Sequence, residues 1–172
     1  MLGNGVTGCT PNVEPTPTPA VTPTVTPTST PQWTTEEQAA IAAVQRYLEV
    51  WTEISQNLDD TSQGFDKIWE VATAEHATNK TVMWIDWRHS GQHLVGAPTF
   101  EVTSVAPGYS DNSGHRYHVY GCYSTEGSYL VDSDGNEVQK FTGDRLLSSY
   151  MVLRTNDDLY LVGANEAEPK PC

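Results

Sequence analysis

The chain has 172 residues, with 22 acidic against 9 basic side chains and a formal net charge of −13. Glu14 is the only charged residue before position 33, so nearly all of the charge belongs to residues 33–172. A surface this acidic, with no run of Lys or Arg, repels phosphate backbones and anionic headgroups and argues against a nucleic-acid partner.

In chain order, Val6-Thr7-Gly8-Cys9 comes first and resembles a bacterial lipobox. On that reading residues 1–9 are a lipobox-like segment, and Cys9 is lipidated and anchors the protein to a membrane. The location is then extracytoplasmic, in the cell envelope. Met1 to Gly8 has neither a basic start nor an apolar stretch of ~7–15 residues, so the reading expects a leader upstream of Met1. The alternative is a cytoplasmic protein with a disordered N-terminus. Residues 10–32 are Thr- and Pro-rich, with Pro at 11, 15, 17, 19, 23, 27 and 31. Each Pro fixes φ and removes a backbone donor. The stretch is expected to be a disordered linker of polyproline II character, reaching roughly 70 Å at ~3.1 Å per residue. Such Ser/Thr/Pro stalks are often O-glycosylated.

Residues 33–172 are enough for one domain, burying roughly 70% of the unfolded surface. Thr34 and Glu37 have the spacing of a capping box. Apolar residues then recur at Ala40, Val44, Tyr47, Leu48, Trp51, Ile54 and Leu58, which predicts a helix over 34–57 stopped by Asn57, Asp59 and Asp60. A second, shorter helix is expected over 64–74, with Phe65, Ile68, Trp69 and Ala72 inward. A third is expected over 76–90, with Val82, Ile85 and His89 on one face and Trp84 and Trp87 on neighbouring faces. No segment reaches the ~18 apolar residues of a spanning helix.

After Gly91 the period changes from 3.6 to 2. Alternation from Phe100 to Val105 predicts a first long strand, and alternation from Tyr117 to Cys122 a second. Pro107-Gly108 and Asp111-Asn112-Ser113-Gly114 are turn material. Tyr129-Leu130-Val131 leads into Asp132-Ser133-Asp134-Gly135-Asn136, a hairpin signal. Two further strands are expected over 146–154 and 159–164. Helices followed by a meander of strands predict an α+β fold with an antiparallel sheet.

The three cysteines are Cys9, Cys122 and Cys172. If Cys9 is acylated, two remain, and a disulfide would pin the terminal Cys172 to the strand carrying Cys122. Closing that loop of about 50 residues is worth roughly 4 kcal/mol in the chain-entropy model and persists only in an oxidising compartment. The alternative is two free thiols.

Several of these features together look familiar. Gly96-Ala97-Pro98 precedes the first long strand, Val119-Tyr120-Gly121-Cys122-Tyr123-Ser124 lies in the second, and Leu130-Val131-Asp132-Ser133-Asp134-Gly135 forms the hairpin. With the terminal Pro171-Cys172, they resemble the nuclear transport factor 2-like, or SnoaL-like, superfamily (the cystatin-like cone), and within it exported actinobacterial lipoproteins. The resemblance covers residues 33–172 and implies N-terminal helices packed on a curved antiparallel sheet, a cone. It also implies a possible homodimer through that sheet. Relatives often carry Asp soon after the strand Cys, where this chain has Tyr123-Ser124-Thr125.

Enzymes with this cone use an Asp or His base with a Tyr or second acid as oxyanion donor, which would make Asp86, His89, Tyr120 and Tyr150 the catalytic set. On the plainer reading Trp84, Trp87 and Tyr120 simply fill the cone with aromatic bulk. His89 and His93, with Asp86, have the spacing of a metal face to which His115 and His118 could add, but Gly91 interrupts the helix between them and no metal is expected. Asp132 to Glu137 resembles the start of a calcium loop, yet Gly falls at its fourth position rather than its sixth, so a hairpin turn is expected.

The function expected is therefore a non-catalytic, exported, lipid-anchored accessory module that binds an envelope protein partner or a small apolar ligand, without a cofactor. The alternatives are a SnoaL-like isomerase or hydrolase-type enzyme, and an immunity or accessory protein encoded by a mobile element.

Overall fold

The first helix begins where the sequence places its cap. In the computed structural model, which describes residues 33–58 and 64–172, α1 spans Thr35–Gln56. Thr34 Oγ1 accepts from the Glu37 N–H at 3.2 Å, and the Glu37 carboxylate accepts from the Thr34 N–H at 2.7 Å. Two of the helix's unpaired donors are thereby satisfied reciprocally. Asn57 is the C-cap; Asp59 and Asp60, the lipobox-like segment 1–9 and the linker 10–32 lie outside the described residues. The buried stripe of α1 is Ala40, Ala43, Val44, Tyr47, Ile54 and Ser55, close to the predicted spacing.

The expected second helix is a shorter 3-10 turn over Phe65–Glu70, and Trp69, expected inward, is 47% exposed. It stops early because the next residues have another partner. Val162 N–H donates to Val71 O, and Thr73 N–H donates to Val162 O, both at 2.9 Å. These bonds draw residues 71–73 into a parallel bridge with a strand far along the chain. The second helix proper, α2, spans Ala74–His89. Its inward side is also not the one expected. Val82 is 54% exposed and His89 is exposed, whereas Trp84 is fully buried with His76 and Ala77.

Two cross-helix hydrogen bonds explain that choice. Tyr47 Oη lies 2.8 Å from His76 Nε2, and Trp84 Nε1 donates to Ser55 Oγ at 2.8 Å. Both partners advance along their helices in the same sense, so α1 and α2 run parallel. A parallel pair cannot be joined by a tight turn; the chain must cross back about 12 Å between the two bonds at 1.5 Å rise per residue. The 3-10 turn and the bridge at Ala72 are that crossover.

The strands after α2 are β1 His93–Val95, β2 Thr99–Asp111, β3 Gly114–Ser124, β4 Tyr129–Val131, β5 Glu137–Lys140, β6 Leu146–Arg154 and β7 Tyr160–Pro171. They form an open four-stranded sheet in the order β2-β3-β6-β7 and a small sheet in the order β1-β4-β5, with every strand pair antiparallel. The protein is α+β, and the sheet does not close into a barrel. Pro107-Gly108, expected as a turn, lies inside β2. As an edge strand β2 tolerates a missing donor, and a register shift between Pro107 and Ser110 absorbs the irregularity. The turn is at Asp111 to Gly114, where Asp111 Oδ1 accepts from the Ser113 N–H at 2.8 Å. β7 runs well past the predicted 164 because its polar second half pairs with the start of β6.

One sheet face packs on the helices. Tyr117 and Val119 of β3, Tyr150 and Val152 of β6 and Val162 of β7 are buried there with Tyr47, Ile54 and Trp84. His118, Tyr120, Ser149 and Met151 alternate onto the opposite face and are half-buried. Gly121 has a specific role on the packed face. The Phe100 ring lies across it to meet Tyr150 edge-on at 4.9 Å. A Cβ at Gly121 would stand 2.4 Å from Glu101 O and 2.7 Å from that ring.

Cys122 and Cys172 are joined as expected, with Cα atoms 5.9 Å apart and a sequence separation of 50 residues. Cys172 N–H donates to Arg145 O at 3.0 Å, so the end of the chain is held by the backbone as well. Cys122→Ser with Cys172→Ser should lower unfolding free energy by at most about 4 kcal/mol, read from urea melts, with no further loss on adding reductant. Gly121→Ala should cost about 1–3 kcal/mol by overpacking; a urea midpoint within error of wild type would contradict the close approach.

Candidate functional site

Seven parts of the chain converge on one hollow at the end of the helix pair. α1 contributes Trp51, and α2 contributes Met83 and Trp87, one turn apart. Leu94 comes from β1, Pro98 from the loop before β2, Tyr123 from the end of β3, Thr125 and Ser128 from the turn after it, and Phe141 from beyond β5. The hollow has a volume of about 300 Å³. Trp51 and Trp87 meet edge to face at 6.4 Å and form one wall.

The rim is built by two turns in contact. Gly96 has φ +81°, and a Cβ there would stand 2.3 Å from Gly127 O, so only glycine allows the turn before Pro98 to nest against the turn before Ser128. Gln56 Nε2 donates to Gly96 O at 2.7 Å and ties this rim to the last turn of α1. Ser128 N–H donates to Thr125 O at 2.9 Å, closing the opposite turn. The Gly96-Ala97-Pro98 motif therefore acts at the mouth of the hollow.

No charged side chain lines the hollow among the described residues. Burial pushes the Tyr123 phenol above its ordinary range, which keeps it protonated. Ser128 is buried, and its Oγ has no hydrogen-bond partner among the described residues. A larger cleft of about 510 Å³, lined by Glu53, Asn57, Phe65 and Lys67, takes its walls from either side of the undescribed segment 59–63.

The sequence-derived catalytic set is not brought together. Asp86 and His89 lie on α2, outside the hollow, and His89 is exposed. Tyr150 is buried on the helix-facing side of the sheet, where burial raises its phenol well above the usual range. Tyr120 lies on the other side, stacked on His118. That corrects the expectation that Tyr120 fills the interior; of the two tryptophans expected there with it, Trp84 is fully buried and Trp87 lines the hollow.

The histidines are also scattered. His115 shares a hydrogen bond with Ser110 and packs against Tyr117 at 4.8 Å, on the face opposite His118. Among the described residues no group of three His, Cys, Asp or Glu has metal-binding geometry. Asp132 accepts from the Asp134 N–H at 3.0 Å and the Asn136 N–H at 2.9 Å, and the bonds from Asn136 chiefly hold its carboxyl below the ordinary range. Its Oδ1 thus serves the hairpin turn that the sequence predicts.

The lining of the hollow was not legible as a set. Trp51 and Trp87 each stand out as bulky residues on helices, but Leu94, Ser128 and Phe141 give no local signal.

No family model matches the chain, and no curated protein matches its sequence. Among solved structures it is similar to the crystal structure of the intermembrane space region of the chloroplast protein ARC6, with a TM-score of 0.54 at 12% identity, over 80% of this chain and 98% of that one. A de novo designed β-sheet protein matches at a TM-score of 0.33 and 10% identity, over 78% of this chain and 92% of the design. At such identities the ARC6 likeness is one of fold.

The buried polar contact between Tyr47 and His76 has a pH signature. Burial, with the Lys80 charge adding to it, pushes His76 down to about 4, so the ring is neutral, and its Nε2 shares a hydrogen bond with the Tyr47 phenol. An unfolded histidine takes up its proton near 6.5, so acidification favours the unfolded chain. Stability present above pH 6.5 should be lost as the pH falls toward 4, with about 2 kcal/mol lost between pH 7 and pH 5. Urea melts at the two pH values should show that loss, and His76→Gln should remove most of the difference.

Proposed function

We propose that this domain is a non-catalytic accessory module of the cell envelope, which holds a neutral apolar group in the Trp51–Trp87 hollow. That group belongs to a small ligand or to a side chain presented by an envelope protein partner. The observation that carries the reading is the hollow's lining: Trp51, Trp87, Tyr123 and Phe141 on its walls, Met83 and Leu94 beside them, and no charged residue among those described. Pockets of this kind hold ligands by apolar contact and orient them with a few polar groups.

The location rests on other features. The Cys122–Cys172 disulfide fits a protein matured in an oxidising compartment. The fold it shares with a domain named for an intermembrane space supports the same placement. Among the described residues no helix is long and apolar enough to cross a membrane. Lipidation of Cys9, with residues 10–32 as the tether, completes the proposal and accounts for the one cysteine outside the disulfide. The helices-then-strands order supports the nuclear transport factor 2-like resemblance as its framework.

Toluene is the simplest probe of the hollow. It should shift the Met83 methyl and the Trp51 and Trp87 indole N–H resonances saturably. Thr125→Phe, which fills the space from one wall, should abolish the shifts without lowering the urea midpoint. Shifts spread over the surface, or unaffected by Thr125→Phe, would remove the hollow from the proposal.

A further inference from the structure

The hollow shares a wall with a second recess. Pro98 lines both the hollow and a surface groove of about 370 Å³, whose other residues include Leu48, Glu49, Thr52 and Glu53 of α1 and Ala97 of the loop before β2. Gln56 lines the groove as well, and its bond to Gly96 O ties the groove to the rim of the hollow. Leu48 and Thr52 are half-buried and neutral, whereas Glu49 and Glu53, the charged residues of the groove, are exposed. The bases held against α1 do not reach Glu49. Arg46 pairs with Glu70 at 3.7 Å, and Lys67 pairs with Glu53 in an exposed contact of the weak surface kind. Glu49 has no ion pair with a described residue. The other margin of the hollow differs. Phe141 follows β5, and its neighbour Lys140 is exposed. β4 separates β5 from β1, so that margin lies about 10 Å from the strand that leads to Ala97-Pro98.

We infer that the group held in the hollow is an apolar side chain of a protein partner, and that a Lys or Arg a few residues from it in that partner lies in the groove against Glu49. The inference rests on the proposed apolar binding and chooses between its two sources. Size favours a side chain, because about 300 Å³ is at the small end of the range for ligand pockets. Continuity favours a chain, because a recess that shares Pro98 with the hollow extends the site beyond what one small guest would fill. Two or three extended residues at ~3.3 Å each span neighbouring recesses of this kind. Charge sets the flank. The base stays in the exposed groove and keeps its water, while the neutral anchor alone enters the aromatic interior. An apolar anchor in a pocket with a charged rim is a common division of labour at protein interfaces, the anchor supplying affinity and the rim specificity.

The probes are two N-acetylated, C-amidated tetrapeptides, Phe-Gly-Gly-Lys and Phe-Gly-Gly-Gln, whose Phe side chain carries the ring of toluene. Calorimetric titration at low ionic strength should give the Lys peptide about 2- to 5-fold the affinity of the Gln peptide, the range for an exposed charge pair. Glu49→Gln should bring that ratio to about 1, and Thr125→Phe should abolish binding of both peptides. Lys140→Gln should leave the ratio at its wild-type value, which separates a contact in the groove from the general pull of the −13 charge. Equal affinities for the two peptides in wild type would overturn the basic flank. So would a ratio that survives Glu49→Gln, or one that Lys140→Gln shifts as far as Glu49→Gln does. Peptide binding that persists in Thr125→Phe would overturn the hollow as the seat of the anchor. Binding of toluene with neither peptide bound would overturn the protein partner in favour of a small ligand and leave apolar binding intact. Failure of toluene to bind would instead remove the hollow itself as a binding site.

Discussion

The architecture depends on the parallel setting of two helices that touch through long side chains. Tyr47 with His76 and Ser55 with Trp84 bridge α1 and α2 at two levels, and all four residues are buried. A buried polar group left without its partner costs about 1–3 kcal/mol, more than a satisfied hydrogen bond contributes net. The two contacts therefore discriminate strongly between helix registers. A slide of one turn would leave an indole N–H, a phenol, an imidazole and a hydroxyl unpaired together. Parallel helices in turn require a crossover. The crossover is drawn to the outer edge of β7, where Val71 and Thr73 pair with Val162 and cover a backbone segment that would otherwise be an open edge.

The same geometry makes the hollow. Tyr47 and Trp84 fill the space between helices and sheet, while Trp51 and Trp87 stand on adjoining faces and meet only edge to face. Below them the four-stranded sheet is succeeded by the small sheet and its turns, which supply thin walls rather than a packed layer. Gly96 against Gly127 lets those turns approach closely enough to shape a rim. The hollow is thus a by-product of bulky spacers meeting a change of layer, and it persists because the disulfide and the Gln56 contact hold the surrounding segments in place.

Legibility in the sequence followed the range of the determining contacts. α1 was legible because its cap and its stripe are local. The cores of β2 and β3 were legible because alternation is local, and the disulfide because an extra cysteine at the terminus limits the choices. The 3-10 turn was mistaken for a helix because its end is set by Val162, about ninety residues away. On α2 polar residues occur on every face, so Val82 and Trp84 competed on equal terms until two partners on α1 selected Trp84. The second half of β7 has no alternation and is held by pairing with β6. The hollow draws on segments from Trp51 to Phe141, and no window of sequence contains it.

Charge gives the hollow its contrast with the rest of the surface. Of the nine Lys and Arg residues, Arg46, Lys67, Arg116, Arg145, Arg154 and Lys170 are each paired with a carboxylate. Most of these pairs are exposed and contribute about 0–1 kcal/mol each. Their larger effect is to consume positive charge, which leaves the acidic excess spread without a basic counter-patch. Of the other three, Arg88 lies over the Phe65 ring, burial lowers the pKa of the Lys80 ammonium, and Lys140 is exposed next to Phe141 of the hollow. The net charge of −13 gives an anionic group a repulsive field overall, and the hollow offers it an uncharged, aromatic lining. A cation gains from the field but loses its hydration on entry with no carboxylate to receive it. A neutral apolar group escapes both penalties, which is the charge selection that the proposed binding would require.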